Sequence, residues 1–255
     1  MTTTAPDGNI RLELMTFEDV ERALANGFRT ILIPCGAIEQ HGPHLPLCMD
    51  ADHAEALALV VAQRLGHTLV APSIRVGCSS HHMAFSGTIS LRNETFEAIC
   101  HDYCVSLAQH GFDRMLIFSG HIGNFPSLQD MLPRLNKAVA GRGKVEVFAD
   151  SGAWLSRWQA AVAEAGGDPA RVGGHADIAE TSLVMKLRPG SVRSERVEPG
   201  RVGILSQEEL ALMWKGGIAS VSRNGILGDP RGSSATIGER CLDGIADLLV
   251  SAFAR

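Results

Sequence analysis

Short apolar runs of strand length alternate with longer segments of helical period over the first 150 residues, and no other feature narrows the possible folds so far. Thr30-Ile31-Leu32-Ile33-Pro34 precedes a helical pattern from Asp50 to Leu65, and Thr68-Leu69-Val70 precedes another from Glu94 to His110. The series repeats with Arg114-Met115-Leu116-Ile117-Phe118, a helical pattern from Ser127 to Val139, and Lys144-Val145-Glu146-Val147-Phe148. This alternation predicts an α/β fold: a three-layer α/β/α arrangement whose largely parallel central sheet is covered by helices on both faces. The chain has 255 residues, 45% of them hydrophobic and 20% charged, enough to bury one sizeable core. One domain over residues 1–255 is expected. The Gly, Ala, Asp and Pro-rich stretch from Ala163 to Gly174 reads as a connection or a flap.

In sheets of this kind ligands collect beyond the carboxyl ends of the strands. Two Gly-rich turns fall there: Cys35-Gly36-Ala37-Ile38-Glu39-Gln40-His41-Gly42 and Ser119-Gly120-His121-Ile122-Gly123-Asn124. Glu39 and His41 lie on one side of an extended loop, Asp50 opens the next helix, and His121 follows another strand end. A carboxylate and imidazole set suits zinc, manganese or iron(II) better than calcium or a thiolate site. Asp50 either bridges two ions or caps its helix. Asp52, His44 and His53 are rival ligands or supporting groups. In Gly173-Gly174-His175-Ala176-Asp177-Ile178-Ala179-Glu180, the residue Glu180 falls in the first turn of a helix beginning near Ile178, where it ligates or complements the helix dipole.

Charge and segment composition set outer limits. The formal net charge is -5, so nothing favours nucleic acid or an anionic membrane as partner, and a small or neutral ligand fits better. Met1 to Ile10 lacks signal-peptide character, and no apolar run approaches the roughly 18 residues of a membrane span. A cytoplasmic location is therefore expected. The six cysteines are scattered among apolar neighbours and read as reduced core thiols.

Residues 33 to 47 with Asp50, then Gly87-Thr88-Ile89-Ser90, Gly120 to Asn124, His175 to Ser182 and the turn Gly228-Asp229-Pro230-Arg231 together resemble the creatininase family, in order from about residue 12 to residue 250. The resemblance implies a creatininase-like fold and two divalent metal ions per subunit. Glu39 and His121 would hold one ion, His41 the other, and Asp50 would bridge them. The family's further carboxylate is replaced here by Gly123, which makes Glu180 the expected fifth ligand. His175 aligns with the histidine that moves protons, and a neutral imidazole can take a proton from water and return it to a leaving nitrogen. Arg171 and Val172 stand where creatininase contacts its substrate, and Ser86 stands where the family has proline. The changes at Gly123, Arg171 and Val172 point away from creatinine.

The implied reaction is hydrolysis of a C–N amide bond, in a cyclic amide, linear amide or formamide of a small polar molecule, by a metal-activated water. Ser79, His81 and Trp154 are expected to contact this small-molecule amide substrate, with Ser80, His82 and Trp158 nearby. Competing readings are a peptidase of a peptide-modification pathway, a non-catalytic metal-dependent binding module, and an amidase using Cys35 or Ser119 as nucleophile. The resemblance also implies a homo-oligomer, as in the hexamers common in the family.

Overall fold

The computed structural model describes residues 8–203 and 205–254. Four strands, β1 (Thr30–Cys35), β2 (Thr68–Val70), β3 (Arg114–Ser119) and β4 (Lys144–Val147), form a parallel sheet in the order β2-β1-β3-β4. Helix α1 (Phe17–Ala25) leads into β1. The crossovers are α2 (Met49–Leu65), α3 (Asn93–His110) and α4 (Phe125–Ala138), followed by α5 (Ser151–Glu164). All but the first residue of β1 and of β3 are buried, as the central position and the cover on both faces require. The alternating strands and helices expected from the sequence are thus present, with ends displaced by one or two residues.

Beyond α5 the chain departs from the simple alternation. The stretch read as a connection or flap ends in β5 (Val172–His175), which pairs antiparallel with β6 (Leu227–Gly228). Its glycines reflect close approach rather than looseness: a Cβ at Gly173 would lie 2.4 Å from the Gly228 nitrogen and 2.5 Å from the Leu227 carbonyl. Helices α6 (Ile178–Leu187), α7 (Gln207–Gly216) and α8 (Ala235–Phe253) complete the chain. Helix α8 packs on α2, α5 and α6 and buries Ile237, Cys241, Leu242, Ile245, Leu249 and Phe253, a stripe at helical spacing. Among the described residues no helix is long and apolar enough to cross a membrane.

What matters for the site is how β1, β3 and α2 meet. Cys35 pairs with Ser119, so the two central strands end side by side. The N-terminus of α2 is inserted against both strand exits. A Cβ at Gly36 would lie 2.5 Å from the Ala51 Cα, and one at Gly120 would lie 2.6 Å from the Asp50 carbonyl oxygen. Glycine at both positions is what lets Asp50 stand between the two loops. Asn124, fully buried, ties them together: its amide donates to the Gly36 carbonyl and the Ser119 hydroxyl, both at 3.0 Å, and accepts from the Cys78 amide at 2.8 Å.

Candidate metal centre

Six buried side chains converge where these loops meet. Glu39, His41 and Asp50 are at most 1% exposed, and His121, His175 and Glu180 at most 6%. One Asp50 oxygen lies 3.2 Å from His41 Nε2 and the other 3.2 Å from His121 Nδ1. Glu39 Oε1 lies 3.4 Å from His121 Nδ1 and 3.7 Å from His175 Nδ1, while Glu180 Oε2 lies 3.6 Å from His41 Nε2 and 4.0 Å from His175 Nδ1. Among the described residues, three groups have ligand atoms within 4.8 Å of one another: Glu39, Asp50 and His121; His41, His175 and Glu180; and Glu39, His82 and His175.

The remote ring nitrogens explain the orientation. His41 Nδ1 is 3.1 Å from the Glu39 carbonyl oxygen, His121 Nε2 is 3.2 Å from that of Cys78, and His175 Nε2 is 2.8 Å from that of Gln40. A carbonyl only accepts, so each of these nitrogens carries the proton and the other nitrogen turns a lone pair toward the carboxylates. Histidines that ligate metals are held in this way. Both Glu39 oxygens and Asp50 Oδ2 are buried without a hydrogen bond. Bare nitrogens facing bare carboxylate oxygens repel unless a cation lies between them. The residues therefore fit divalent ions.

Without an ion, protons must play that part. Burial presses the His41 pKa down, but Asp50, Glu180 and Glu39 outweigh it and hold the group up to about 10; His121 is held up to about 9 against burial by Glu39 and Asp50. Burial raises Glu39 to about 7 despite His121, and raises Glu180 well above the usual carboxylate range. Asp50 runs the other way: burial is outweighed by the two facing imidazoles, and its pKa falls well below normal.

Glu180 comes into the cluster through its helix cap. Asp177 Oδ1 accepts from the Ala179 and Glu180 amides, and Oδ2 accepts from Gly173 and Gly174 at 2.8 Å each. This locks β5 to α6. Between them Ala176 takes a left-handed φ of 54°, a strained conformation for alanine, and its amide donates to Glu180 Oε2. Gly123 has no room for a side chain, since a Cβ there would lie 2.3 Å from His121 Nε2 and 2.8 Å from His81 Cε1.

Other expected residues fall elsewhere. Trp154 is a correction: it is 0% exposed and packs on Phe125, Phe148, Trp158 and His53 at centroid distances of 5.8–6.1 Å, so it belongs to the core and does not line the cavity over the cluster. Leu155, one position on, faces the cavity instead. Ser79 is fully buried and also does not line the cavity, whereas His81 does. Asp52 binds Arg75 and Arg188, and His44 Nε2 meets the Thr181 hydroxyl at 2.8 Å. Arg171 turns toward Asp229, 3.5 Å away. Cys35 is buried, with the Cys100 thiol and desolvation pushing its pKa well up, and the Ser119 hydroxyl donates to the His121 carbonyl at 2.9 Å. Neither is placed as a nucleophile.

His53 sits between Trp154 and Trp158 with neither ring nitrogen hydrogen-bonded. Burial lowers its pKa to about 4, so the unfolded chain binds this proton first. Stability is unaffected above the unfolded value of about 6.5 and falls by about 1.4 kcal/mol per pH unit between there and about 4. His53→Phe should remove about one proton from the acid-side slope of chemical unfolding measured with metal chelated. An unchanged slope at pH 5 would contradict this assignment.

The cluster forms the floor of a cavity of about 320 Å³. Its opposite wall is apolar: Leu205, Leu210, Met213, Trp214, Ile218 and Leu227, mostly from α7 and the turn after it. Trp214 lies 5.1 Å from His81, centroid to centroid, and is 56% exposed.

Residues 13–253 match the family model for creatinine amidohydrolase, creatininase. The chain belongs to the creatininase family. As a member it is a hydrolase. It is 35% identical over 240 residues to a mycofactocin precursor peptide peptidase of Mycobacterium ulcerans, covering 91% of this chain and 87% of that protein. A creatinine amidohydrolase of Pseudomonas putida is 33% identical over 115 residues, covering 43% of this chain and 44% of that one. A solved structure named "Creatininase Mn" superposes with a TM-score of 0.77 at 25% identity, covering 97% of this chain and 100% of that chain.

Proposed function

We propose that this creatininase-family hydrolase cleaves a C–N amide bond within a peptide segment, at a two-metal site on the floor of the α7-walled cavity. The convergence of three backbone-oriented histidines on three buried carboxylates carries the metal-dependent part of this reading. The apolar wall opposite them supports a peptide over the small polar amide expected from sequence, because a polar molecule gains little from such a surface. The likeness to a mycofactocin precursor peptide peptidase over 91% of the chain supports the same choice.

Glu39, Asp50 and His121 would hold one ion and His41 and Glu180 the other, with Asp50 shared, one oxygen toward each side. Zinc or manganese, or iron(II), would supply Lewis acidity at the scissile carbonyl and a water acidic enough to attack at neutral pH. His175, whose Nε2 proton faces the Gln40 carbonyl and whose Nδ1 is bare, receives a proton from the attacking water at Nδ1 and passes it to the leaving nitrogen. The α7 wall covers the substrate and excludes water.

The test is turnover of metal-reconstituted protein on blocked peptides, lactams, formamides and creatinine. Peptide cleavage should exceed creatinine turnover by at least about 100-fold, and Trp214→Ala should raise the peptide KM about tenfold through lost apolar burial. Creatinine or another small lactam as the best substrate, unaffected by Trp214→Ala, would sink the peptide reading. Metal uptake with no turnover of any amide would favour the binding module.

A further inference from the structure

Gln40 lies between Glu39 and His41, yet its side chain turns away from the carboxylates and meets three distant groups. Its Nε2 is 2.9 Å from His82 Nδ1, 2.9 Å from His175 Nε2 and 3.0 Å from the Gly225 carbonyl oxygen. The amide orientation is settled by Oε1, which accepts from the Gly42 amide at 2.9 Å. Gly225, at φ +76°, leaves the space: a Cβ there would lie 2.2 Å from Gln40 Oε1.

An amide nitrogen has two hydrogens for these three neighbours. His175 Nε2 already carries a proton, because it faces the Gln40 backbone carbonyl at 2.8 Å. It cannot accept another. The two hydrogens therefore go to the Gly225 carbonyl and to His82 Nδ1. His82 is 2% exposed, and a ring that accepts at Nδ1 is neutral, with one proton to place. With Nδ1 accepting, that proton sits on Nε2, 3.2 Å from Glu39 Oε1. The contact lies off the hydrogen-bond direction, since Glu39 Oε1 accepts no such bond, and it acts as an electrostatic one.

We propose that the Gln40 side chain is a positioning residue that holds His82 in its Nε2–H tautomer, turning a possible metal ligand into a proton-bearing neighbour of Glu39. Of the three groups with ligand-like spacing, the one containing His82 is then no metal site, and the count stops at two. The inference rests on reading the cluster as a metal centre, but the tautomer itself is measured without reference to turnover.

Long-range proton–nitrogen correlation spectra of 15N-histidine-labelled, zinc-loaded protein decide it. His82 and His175 should both show protonated Nε2 and bare Nδ1. In Gln40→Met, which keeps the side-chain length and loses the donors, His82 should lose its single-tautomer pattern while His175 keeps its own, because the backbone carbonyl of residue 40 remains. Gln40→Glu, an acceptor in the same place, should drive the His82 proton to Nδ1. For Gln40→Met, kcat should fall about 10- to 100-fold with KM within about threefold, the usual cost of losing a group that orients a metal site. A parent His82 with its proton on Nδ1, or with a metal-shifted nitrogen, overturns the proposal even if neither variant folds. So does an unchanged His82 in a folded Gln40→Met. Failure to take up zinc while His82 shows Nε2–H would instead strike at the metal reading.

Discussion

Replacing Asp50 with asparagine is expected to strip the protein of tightly held metal and to lower amide hydrolysis by about 10³-fold or more, equivalent to about 4 kcal/mol of transition-state stabilisation. Asp50 lies 3.2 Å from imidazoles on both sides of the cluster, one oxygen to each. Asparagine keeps the shape but presents an NH2 group to a side that needs a negative acceptor, and the remaining oxygen is a weak ligand. The loss should fall on kcat rather than KM, because the apolar wall is untouched. Helix α2 should survive, since its N-cap residue Cys48 makes no capping bond through its side chain and none depends on Asp50. An unchanged far-UV spectrum beside a loss of metal is the expected pair of results; full metal content would refute the role given to Asp50.

The second large effect is structural. Gly36→Ala forces a methyl group to within 2.5 Å of the Ala51 Cα and 2.7 Å of its nitrogen. Both are backbone atoms of α2, so no side chain can rotate away. The first turn of the helix must move, and Asp50 with it. Overpacking of this kind costs about 1–3 kcal/mol, and displacing a reacting geometry by about 1 Å costs about 100-fold in rate. Gly152→Ala in α5 is the control: its Cβ would approach nothing closer than 3.4 Å, and stability should stay within about 1 kcal/mol. Equal midpoints of denaturant unfolding for the two variants would show that the α2 contact carries less than this.

How much of this was legible in the sequence follows from how far apart the partners lie. Glu39, His41 and His121 could be picked out because each sits in a Gly-rich turn directly after an apolar run, and that local pattern also marked the parallel sheet. Gln40 could not, because its meaning lies in His82, His175 and Gly225, which are 42, 135 and 185 residues away. Asn124 and Asp177 escaped for the same reason: both look like ordinary turn residues until the loops they tie are side by side. Helix rotation is what takes Trp154 out of the site. Successive helical residues point about 100° apart, so Trp154 and Trp158 enter the core while Leu155 enters the cavity, and composition carries no sign of which. The apolar wall from α7 had no catalytic signature at all. Its Leu210, Met213 and Trp214 read as one face of an unremarkable helix.

The measurement that bears most directly on the metal centre is add-back of zinc or manganese to chelated protein, with bound ions per chain and peptide-bond hydrolysis followed together. Turnover should be absent at the start, rise with occupancy and level off at two ions per chain, while Asp50→Asn should bind neither ion tightly and remain inactive. Full hydrolysis by chelated protein with no bound metal, or a plateau reached in Asp50→Asn as in the parent, would contradict it.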